Sequence, residues 1–262
     1  MKKIGLIGGL AWVSTVEYYS EIHRAVERRC KGGQESSLEM CIESLDLKTA
    51  LSYIGKEGDE SSWSKFDAYH RNALLRLQQS GIECAAIASN TPHSRFDSIV
   101  RGVDMPVLDM FTVVAKEAAG HGFGQVLILG TPLTMKSGRF KKVLSAHGVR
   151  AIEVTDDAAV SETFELIVRL QTGSVQEAAE TIGGIVRRLW NGPLKVQPCV
   201  ILACTELSLA FPESLQEPLL ISRGIIYINP TAIHIRAILE YAHGRTGESS
   251  TPRGGHNYER SP

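Results

Sequence analysis

The sequence lacks the features that mark several classes of protein. No apolar run approaches the ~18 residues that a membrane-spanning helix needs. The 28 basic and 29 acidic residues leave a formal charge of −1, which provides no electrostatic footprint for nucleic acid or an anionic membrane. Five cysteines in 262 residues are too few for a disulfide scaffold, and their odd number excludes complete pairing. We therefore expect reduced thiols in a cytoplasmic protein that binds neither nucleic acid nor membrane.

The sequence also lacks metal and dinucleotide motifs. Histidines occur singly, and none has metal-ligand spacing with a cysteine or carboxylate, so we expect no metal. The glycine-rich stretch 5–10 has the spacing GxxGG rather than GxGxxG, and the acidic residue expected ~20 positions later is absent. We expect this turn to approach a ligand closely, with the N–H groups of Gly9 and Leu10 receiving a small carboxylate.

Short apolar runs alternate with amphipathic stretches along most of the chain. The runs predict strands at 4–7, 40–42, 85–88, 126–129, 200–203 and 225–228. The amphipathic stretches predict helices at 14–29, 63–80, 111–119, 137–147, 161–170, 175–190 and 231–241, the first capped by Ser14 or Thr15. This alternation indicates an α/β fold with mostly parallel sheets flanked by helices. Glycines interrupt the apolar amino terminus, so we expect no signal peptide.

A weak internal repeat divides the chain into two similar halves. In each half one apolar strand ends in glycine, and a later one ends in a small nucleophilic residue close to a threonine. We expect two lobes related by a pseudo-two-fold axis, with the active site in the cleft where the carboxyl ends of their strands converge. The predicted boundaries are 1–108 with 222–243 for the N-terminal lobe, 109–221 for the C-terminal lobe, and 244–262 for a disordered tail.

Cys204 is the strongest candidate for chemistry. It follows a strongly apolar strand and precedes a predicted helix, where unpaired N–H groups lower the pKa of a thiol and make thiolate available near neutral pH. The alternative is a buried structural cysteine, which is the interpretation we give to Cys30, Cys41, Cys84 and Cys199.

A similar turn in the first half carries Ser89, Asn90 and Thr91 after another apolar strand. These residues either cap a helix or hold a polar ligand, with Asn90 and Thr91 as donors and Ser89 facing the reacting atom. Thr131 follows a third strand end and has the same two interpretations, a cap for the next helix or a contact to a carboxylate.

Four motifs occur in order along the chain: IGLIGGLAWVSTVEYY, SNTPH, LGTPLTMKSGRF and ACTEL. Together they resemble the cofactor-independent aspartate/glutamate racemase family, from about residue 2 to residue 241. The resemblance implies two α/β lobes with the site between them, and a homodimer. It also implies an isomerase that racemises a small amino or dicarboxylic acid without any cofactor.

The resemblance further implies that two cysteines act on opposite faces of the substrate's α-carbon, one as a thiolate base and one as a proton donor. Cys204 matches one of them, but Ser89 stands where the family usually has the other. A hydroxyl is a much weaker acid than a thiol, so we expect Ser89 to be the opposing proton donor and the reaction to be asymmetric between enantiomers. By resemblance, Cys204 acts efficiently on the L form, while Asn90, Thr91 and Thr205 stabilise the developing charge.

Two questions stay open on the sequence alone. A distal carboxylate on the substrate needs a cation, and Lys48 and Arg169 are the candidates, although each is equally well explained as a solvated surface charge. The alternative functions are a single-cysteine decarboxylase or isomerase on the same scaffold, or a non-catalytic carboxylate-binding protein.

Overall fold

The computed structural model describes residues 1–29, 37–56, 58–173, 175–192, 196–212 and 216–244. Cys30 and the predicted tail from residue 245 onwards lie outside these ranges. The described chain forms two mostly parallel sheets flanked by helices, which confirms the predicted α/β fold class. Every helix in these ranges is too short or too polar to traverse a bilayer.

The first sheet contains four strands in the order β2-β1-β3-β4, and all of its pairs are parallel. Its strands are β1 (Ile4–Gly8), β2 (Met40–Ser44), β3 (Cys84–Ile87) and β4 (Val107–Leu108). The helices that accompany it are α1 (Trp12–Arg29), α2 (Leu47–Ser52), α3 (Ser64–Gln79) and α4 (Phe96–Ile99), with 3-10 turns at Glu60–Trp63 and Thr91–Arg95.

The second sheet contains five strands in the order β6-β5-β7-β9-β8, and only the β8–β9 pair is antiparallel. Its strands are β5 (Gln125–Gly130), β6 (Arg150–Ile152), β7 (Cys199–Ala203), β8 (Leu219–Ser222) and β9 (Ile225–Ile228). The helices in this part of the chain are α5 (Met110–Gly120), α6 (Pro132–Met135), α7 (Gly138–Ala146), α8 (Asp157–Gln171), α9 (Ala178–Leu189), α10 (Thr205–Ser208) and α11 (Pro230–Ala242).

The two sheets share one strand order. Apart from the edge strand β8, β6-β5-β7-β9 repeats the arrangement β2-β1-β3-β4, so β5 corresponds to β1 and β7 corresponds to β3. One predicted boundary is wrong: residues 222–243 do not all belong with the first lobe, because β9 pairs with β7 in the second sheet. The proposed boundary at 108–109 falls between β4 and α5.

The start of α1 also differs from the prediction. The helix begins at Trp12, so Ser14 and Thr15 lie within its first turn and do not cap it. The hydroxyl of Thr15 instead accepts a hydrogen bond from the N–H of Gly9 at 2.9 Å. Ser14 is buried and points towards the second sheet, where it meets Thr205.

The largest apolar core is continuous across both sheets. It includes buried residues of β1, β3, β5 and β7 together with α1, α5 and α11. The rings of Phe111 on α5 and Phe140 on α7 stack in parallel with their centroids 3.8 Å apart. This shared core joins the two sheets and places the carboxyl ends of their strands close together.

We predict that Gly9→Ala destabilises the protein by more than 2 kcal/mol. Gly9 has a φ of +82°, and an added Cβ would meet the backbone of Leu45, lying 2.6 Å from its nitrogen. The cost therefore combines the left-handed strain of about 1–2 kcal/mol with a steric clash of about 1–3 kcal/mol. Gly122→Ala is the matched control, since Gly122 has a φ of +73° but open space around its Cβ position. Urea unfolding should show a larger loss for Gly9→Ala, and equal losses would contradict the packing argument.

Candidate active site

The carboxyl ends of four strands are joined by hydrogen bonds that cross from one sheet to the other. The hydroxyl of Thr91, after β3, lies 3.3 Å from the hydroxyl of Thr131, after β5. The hydroxyl of Ser14, near the start of α1, donates to Thr205, after β7, at 2.6 Å. The predicted cluster of strand ends is therefore present, and it brings Thr91, Thr131 and Thr205 together with the turns that carry Ser89 and Cys204.

Cys204 lies directly after β7 and precedes the short helix α10. It is 8% exposed, and its thiol donates a hydrogen bond to Oε2 of Glu206 at 2.8 Å. Glu206 is itself buried, and the same oxygen accepts a second hydrogen bond from the hydroxyl of Thr205 at 3.1 Å. Its Oε1 accepts from the amide of Gln171, the last residue of α8, at 3.0 Å.

The expectation that the position of Cys204 lowers its pKa is wrong. Burial and the carboxylate of Glu206 together raise the pKa of the thiol well above its usual value. The hydrogen bond from the thiol to Glu206 acts in the same direction. Helix α10 has only four residues, so its N-terminal field is too weak to outweigh a nearby negative charge. Cys204 is therefore a thiol at rest.

Glu17 on α1 is another, partly buried carboxyl group, close enough to interact electrostatically with Glu206. Burial, followed by the charges of Glu21 and Glu206, raises the pKa of Glu17 to about 7. Its Oε1 is buried and has no hydrogen-bond partner within the described chain. Glu17 therefore holds its proton more tightly than an exposed glutamate does.

Ser89, Asn90 and Thr91 form the opposing turn after β3. Ser89 is half-buried, and Asn90 is 4% exposed. The capping interpretation fails for Asn90, because its side chain makes no capping hydrogen bond to the 3-10 turn that follows. Both polar atoms of its amide are buried without a partner in the described residues. An unsatisfied buried amide is costly, so a ligand that completes its hydrogen bonds would be favoured here.

His93 ties this turn to the rest of the fold. It is fully buried, with Nε2 3.3 Å from the carbonyl oxygen of Ile87 and Nδ1 3.1 Å from Oδ1 of Asp109. Arg139 on α7 donates to both oxygens of Asp109. Burial alone would raise the pKa of Asp109, but hydrogen bonds and electrostatic interactions with His93 and Arg139 hold it well below its usual value. This cluster anchors both ends of the stretch that carries Ser89.

The other predicted ligand-binding residues have mixed outcomes. The N–H of Gly9 already donates to Thr15, so the prediction that it is available to a carboxylate is wrong. Leu10 is buried in an apolar cluster next to Leu45. Thr131 caps α6 by accepting from the N–H of Thr134 at 3.4 Å, although the sequence suggested it for the later helix.

Lys48 and Arg169 are both exposed. Lys48 lies on α2, which follows β2 at the carboxyl edge of the first sheet, and Arg169 lies in the last turn of α8.

Over the described ranges, no set of three or more His, Cys, Asp or Glu side chains is arranged to bind a metal ion. Cys84 and Cys199 are buried strand residues, and burial raises the pKa of each to about 12. Cys41 is free and half-buried.

Sequence reasoning missed the roles of Glu206, which accepts from the Cys204 thiol, of Gln171, which donates to Glu206, and of Ser14, which donates to Thr205. For Glu206, the sequence signal was its position two residues after Cys204. Nothing in the local sequence connects Ser14 or Gln171 to this site, because both contacts depend on tertiary packing.

We predict that Glu206→Gln speeds alkylation of Cys204 by iodoacetamide at pH 8 by about tenfold. Removing the negative charge favours the thiolate, so the pKa of the thiol falls. Mass spectrometry of the peptide that contains Cys204 measures the rate. Glu21→Gln is the matched control, because Glu21 is a buried carboxylate that pairs with Arg24 rather than the thiol. An unchanged rate in Glu206→Gln would contradict the assigned hydrogen bond.

Comparisons with known proteins identify a matching family and several relatives. The chain matches the family model described as Asp/Glu/Hydantoin racemase over residues 7–238. It is 28% identical over 137 residues to the broad specificity amino-acid racemase RacX of Bacillus subtilis. That match covers 52% of this chain and 58% of the length of RacX.

Two solved structures are similar over most of the chain. An aspartate racemase homologue from Pyrococcus horikoshii OT3 is 28% identical, with a TM-score of 0.71, and the match covers 93% of this chain and 100% of that one. Aspartate racemase of Picrophilus torridus shares the fold at 22% identity, with a TM-score of 0.69 and coverage of 93% and 95%. The extent of the family match, taken with the two-lobed fold, confirms the resemblance seen in the four motifs. The chain belongs to the Asp/Glu/Hydantoin racemase family.

Proposed function

We propose that this protein is an amino-acid racemase that needs no cofactor, with Cys204 and Ser89 acting on opposite faces of the substrate's α-carbon. The observation that supports it most is the pairing of the buried Cys204 thiol with Glu206 at a strand end equivalent to the one that carries Ser89. Family membership supports the reaction class, since the family model and RacX are described as racemases and racemases are isomerases.

Glu206 supplies what Cys204 lacks as a base. Because Cys204 is a thiol at rest, its proton first passes to Glu206, which leaves a thiolate and a neutral carboxylic acid. The thiolate then takes the α-proton, and the electron pair of the broken C–H bond spreads into the substrate's carboxylate. Cys204 is then a thiol again, and Glu206 releases the proton that it received to water, which restores the starting pair.

Ser89 completes the inversion by donating its hydroxyl proton to the other face of the carbanion, and it regains a proton from water. A hydroxyl is a poor base near neutral pH, so the reverse abstraction by Ser89 is slow. We therefore propose that the enzyme is asymmetric and that Cys204 acts preferentially on the L form.

The unpaired amide of Asn90 and the hydroxyl of Thr91 are proposed to hold the substrate's α-carboxylate, where they also stabilise charge that develops in the transition state. Thr205 acts indirectly, because its hydroxyl is already bound to Glu206. Lys48 and Arg169 remain the candidates for a distal carboxylate, as on aspartate or glutamate. The breadth stated for RacX supports testing amino acids without that group as well.

A second candidate function is favoured by the protonated resting state of Cys204. In a decarboxylase on this scaffold, loss of CO2 would generate the carbanion, and the Cys204 thiol would donate its proton to it without first acting as a base. In that case Ser89 has no role as a second acid, and a malonic diacid rather than an amino acid is the substrate.

The homodimer and the cytoplasmic location are further parts of the proposal. The family resemblance supports the first, and the free thiols of Cys41, Cys84, Cys199 and Cys204 support the second.

The test follows racemisation and α-deuterium uptake by NMR in D2O with L- and D-aspartate, L- and D-glutamate, and a panel of uncharged amino acids. Wild type should turn over at least one pair, faster from the L form. Cys204→Ala should lose at least about a hundredfold in rate, and Ser89→Cys should make the two directions more equal. Cys199→Ala is the matched control, a buried cysteine on the strand that leads to Cys204.

Two results would overturn the proposal. One is an absence of deuterium uptake with every amino acid alongside Cys204-dependent release of CO2 from a malonic diacid. The other is turnover that survives unchanged in Cys204→Ala.

A further inference from the structure

Glu206 is held in place by residues that arrive from two different helices. Ser14 on α1 donates to Thr205 at 2.6 Å, and Thr205 donates to Oε2 of Glu206 at 3.1 Å. Gln171 at the end of α8 donates to Oε1 of the same carboxylate at 3.0 Å. Cys204 provides the remaining hydrogen bond at 2.8 Å. The carboxylate that accepts the thiol proton is thus oriented by side chains from both halves of the chain.

We propose that Ser14 and Gln171 are positioning residues, which hold the Glu206 carboxylate against the Cys204 thiol and determine how the pair shares its proton. This inference extends the proposed function. Its kcat measurement depends on that function, whereas its alkylation measurement does not. Neither residue contacts the thiol itself, so both act through Glu206.

The physical reason is that donors neutralise part of the charge on a carboxylate. Each hydrogen bond to an ionised Glu206 lowers its basicity and weakens its hold on the thiol proton. Ser14 acts one bond further away, because a hydroxyl that accepts a hydrogen bond becomes a better donor. Gln171 donates directly and should have the larger effect.

The experiment must distinguish the titration of the Cys204–Glu206 pair from that of neighbouring acids. From α1, Glu17 acts on Glu206 electrostatically, with Glu21 beside it. Helix α8 presents the amide of Gln171. Because Glu17 titrates near pH 7, each variant is also made in a Glu17→Gln background, so that its titration is not mistaken for that of the pair.

The experiment measures alkylation of Cys204 by iodoacetamide at pH 8, followed on the Cys204 peptide, and the pH dependence of kcat. Gln171→Leu should slow alkylation by about three- to tenfold and move the acid limb of kcat upwards by about one pH unit. Ser14→Ala should shift both in the same direction by less, and Ser14→Thr, which keeps the hydroxyl, should restore them.

Each of the two variants has a matched control, a residue of the same type on a helix. Gln79 ends α3 and is exposed, as Gln171 ends α8, so Gln79→Leu should change nothing. Ser20→Ala serves for Ser14, because Ser20 also lies on α1 but donates to the backbone carbonyl of Glu17 rather than to Thr205. In a Thr205→Val background, Ser14→Ala should have no further effect on alkylation, because the connection to Glu206 is already broken.

The outcomes separate positioning from loosening of the fold. A merely structural role would open the site and speed alkylation, which is opposite to the expected change. Faster or unchanged alkylation in both Gln171→Leu and Ser14→Ala would overturn the proposal. Slower alkylation in an enzyme without turnover on any amino acid would support the positioning roles and contradict the racemase function instead.

Discussion

The carboxylate of Glu206 lies beside the thiol of Cys204 in a place that is almost closed to water. Burying a carboxylate costs several kcal/mol unless it is paired or well supplied with hydrogen bonds, and here donors come from Cys204, Thr205 and Gln171. The same charge that needs those donors keeps the neighbouring thiol protonated. The protonation state of the resting thiol, the proposed route of the first proton and the proposed role of α1 and α8 all depend on this pair.

The two lobes meet through hydroxyl groups placed in a reciprocal way. The turn after β3 contacts the turn after β5 through Thr91 and Thr131, and α1 contacts the turn after β7 through Ser14 and Thr205. A hydrogen bond forms only over a narrow range of distances, so these contacts fix the positions of the strand-end turns relative to each other. The proposal that Cys204 and Ser89 face one α-carbon rests on this connection between the turns.

The repeat makes the difference between the two turns easy to see. Cys204 is followed two residues later by an acid, Glu206, whereas Ser89 is followed two residues later by Thr91, whose hydroxyl bonds to Thr131. His93 and Asp109 support the Ser89 turn from behind. One turn therefore carries a thiol with a proton acceptor and the other a hydroxyl on a rigid backbone, which is the physical basis of the proposed asymmetry.

Long periodic stretches made most of the fold predictable. All six predicted strands and seven predicted helices are present, with ends that differ by a few residues. The strands β4 and β6 were missed because they have two and three residues, too few for a pattern, and β8 because it is a half-exposed edge strand.

The positions of the candidate residues at strand ends were predictable, whereas the protonation state of the thiol was not. The motifs located Cys204, Ser89 and Asn90, but the rule that a helix start acidifies a thiol was applied to a helix of four residues. Whether Glu206 turns towards the thiol or away depends on packing by α8 and α1, which adjacent residues in the sequence do not encode.

The most direct test of two opposing groups is where deuterium appears at low conversion in D2O. Starting from the L enantiomer, the account predicts deuterium in the newly formed D enantiomer and almost none in the L enantiomer that remains. Equal labelling of both enantiomers from the first turnovers would mean that one group serves both faces, and would contradict the assignment of opposite roles to Cys204 and Ser89.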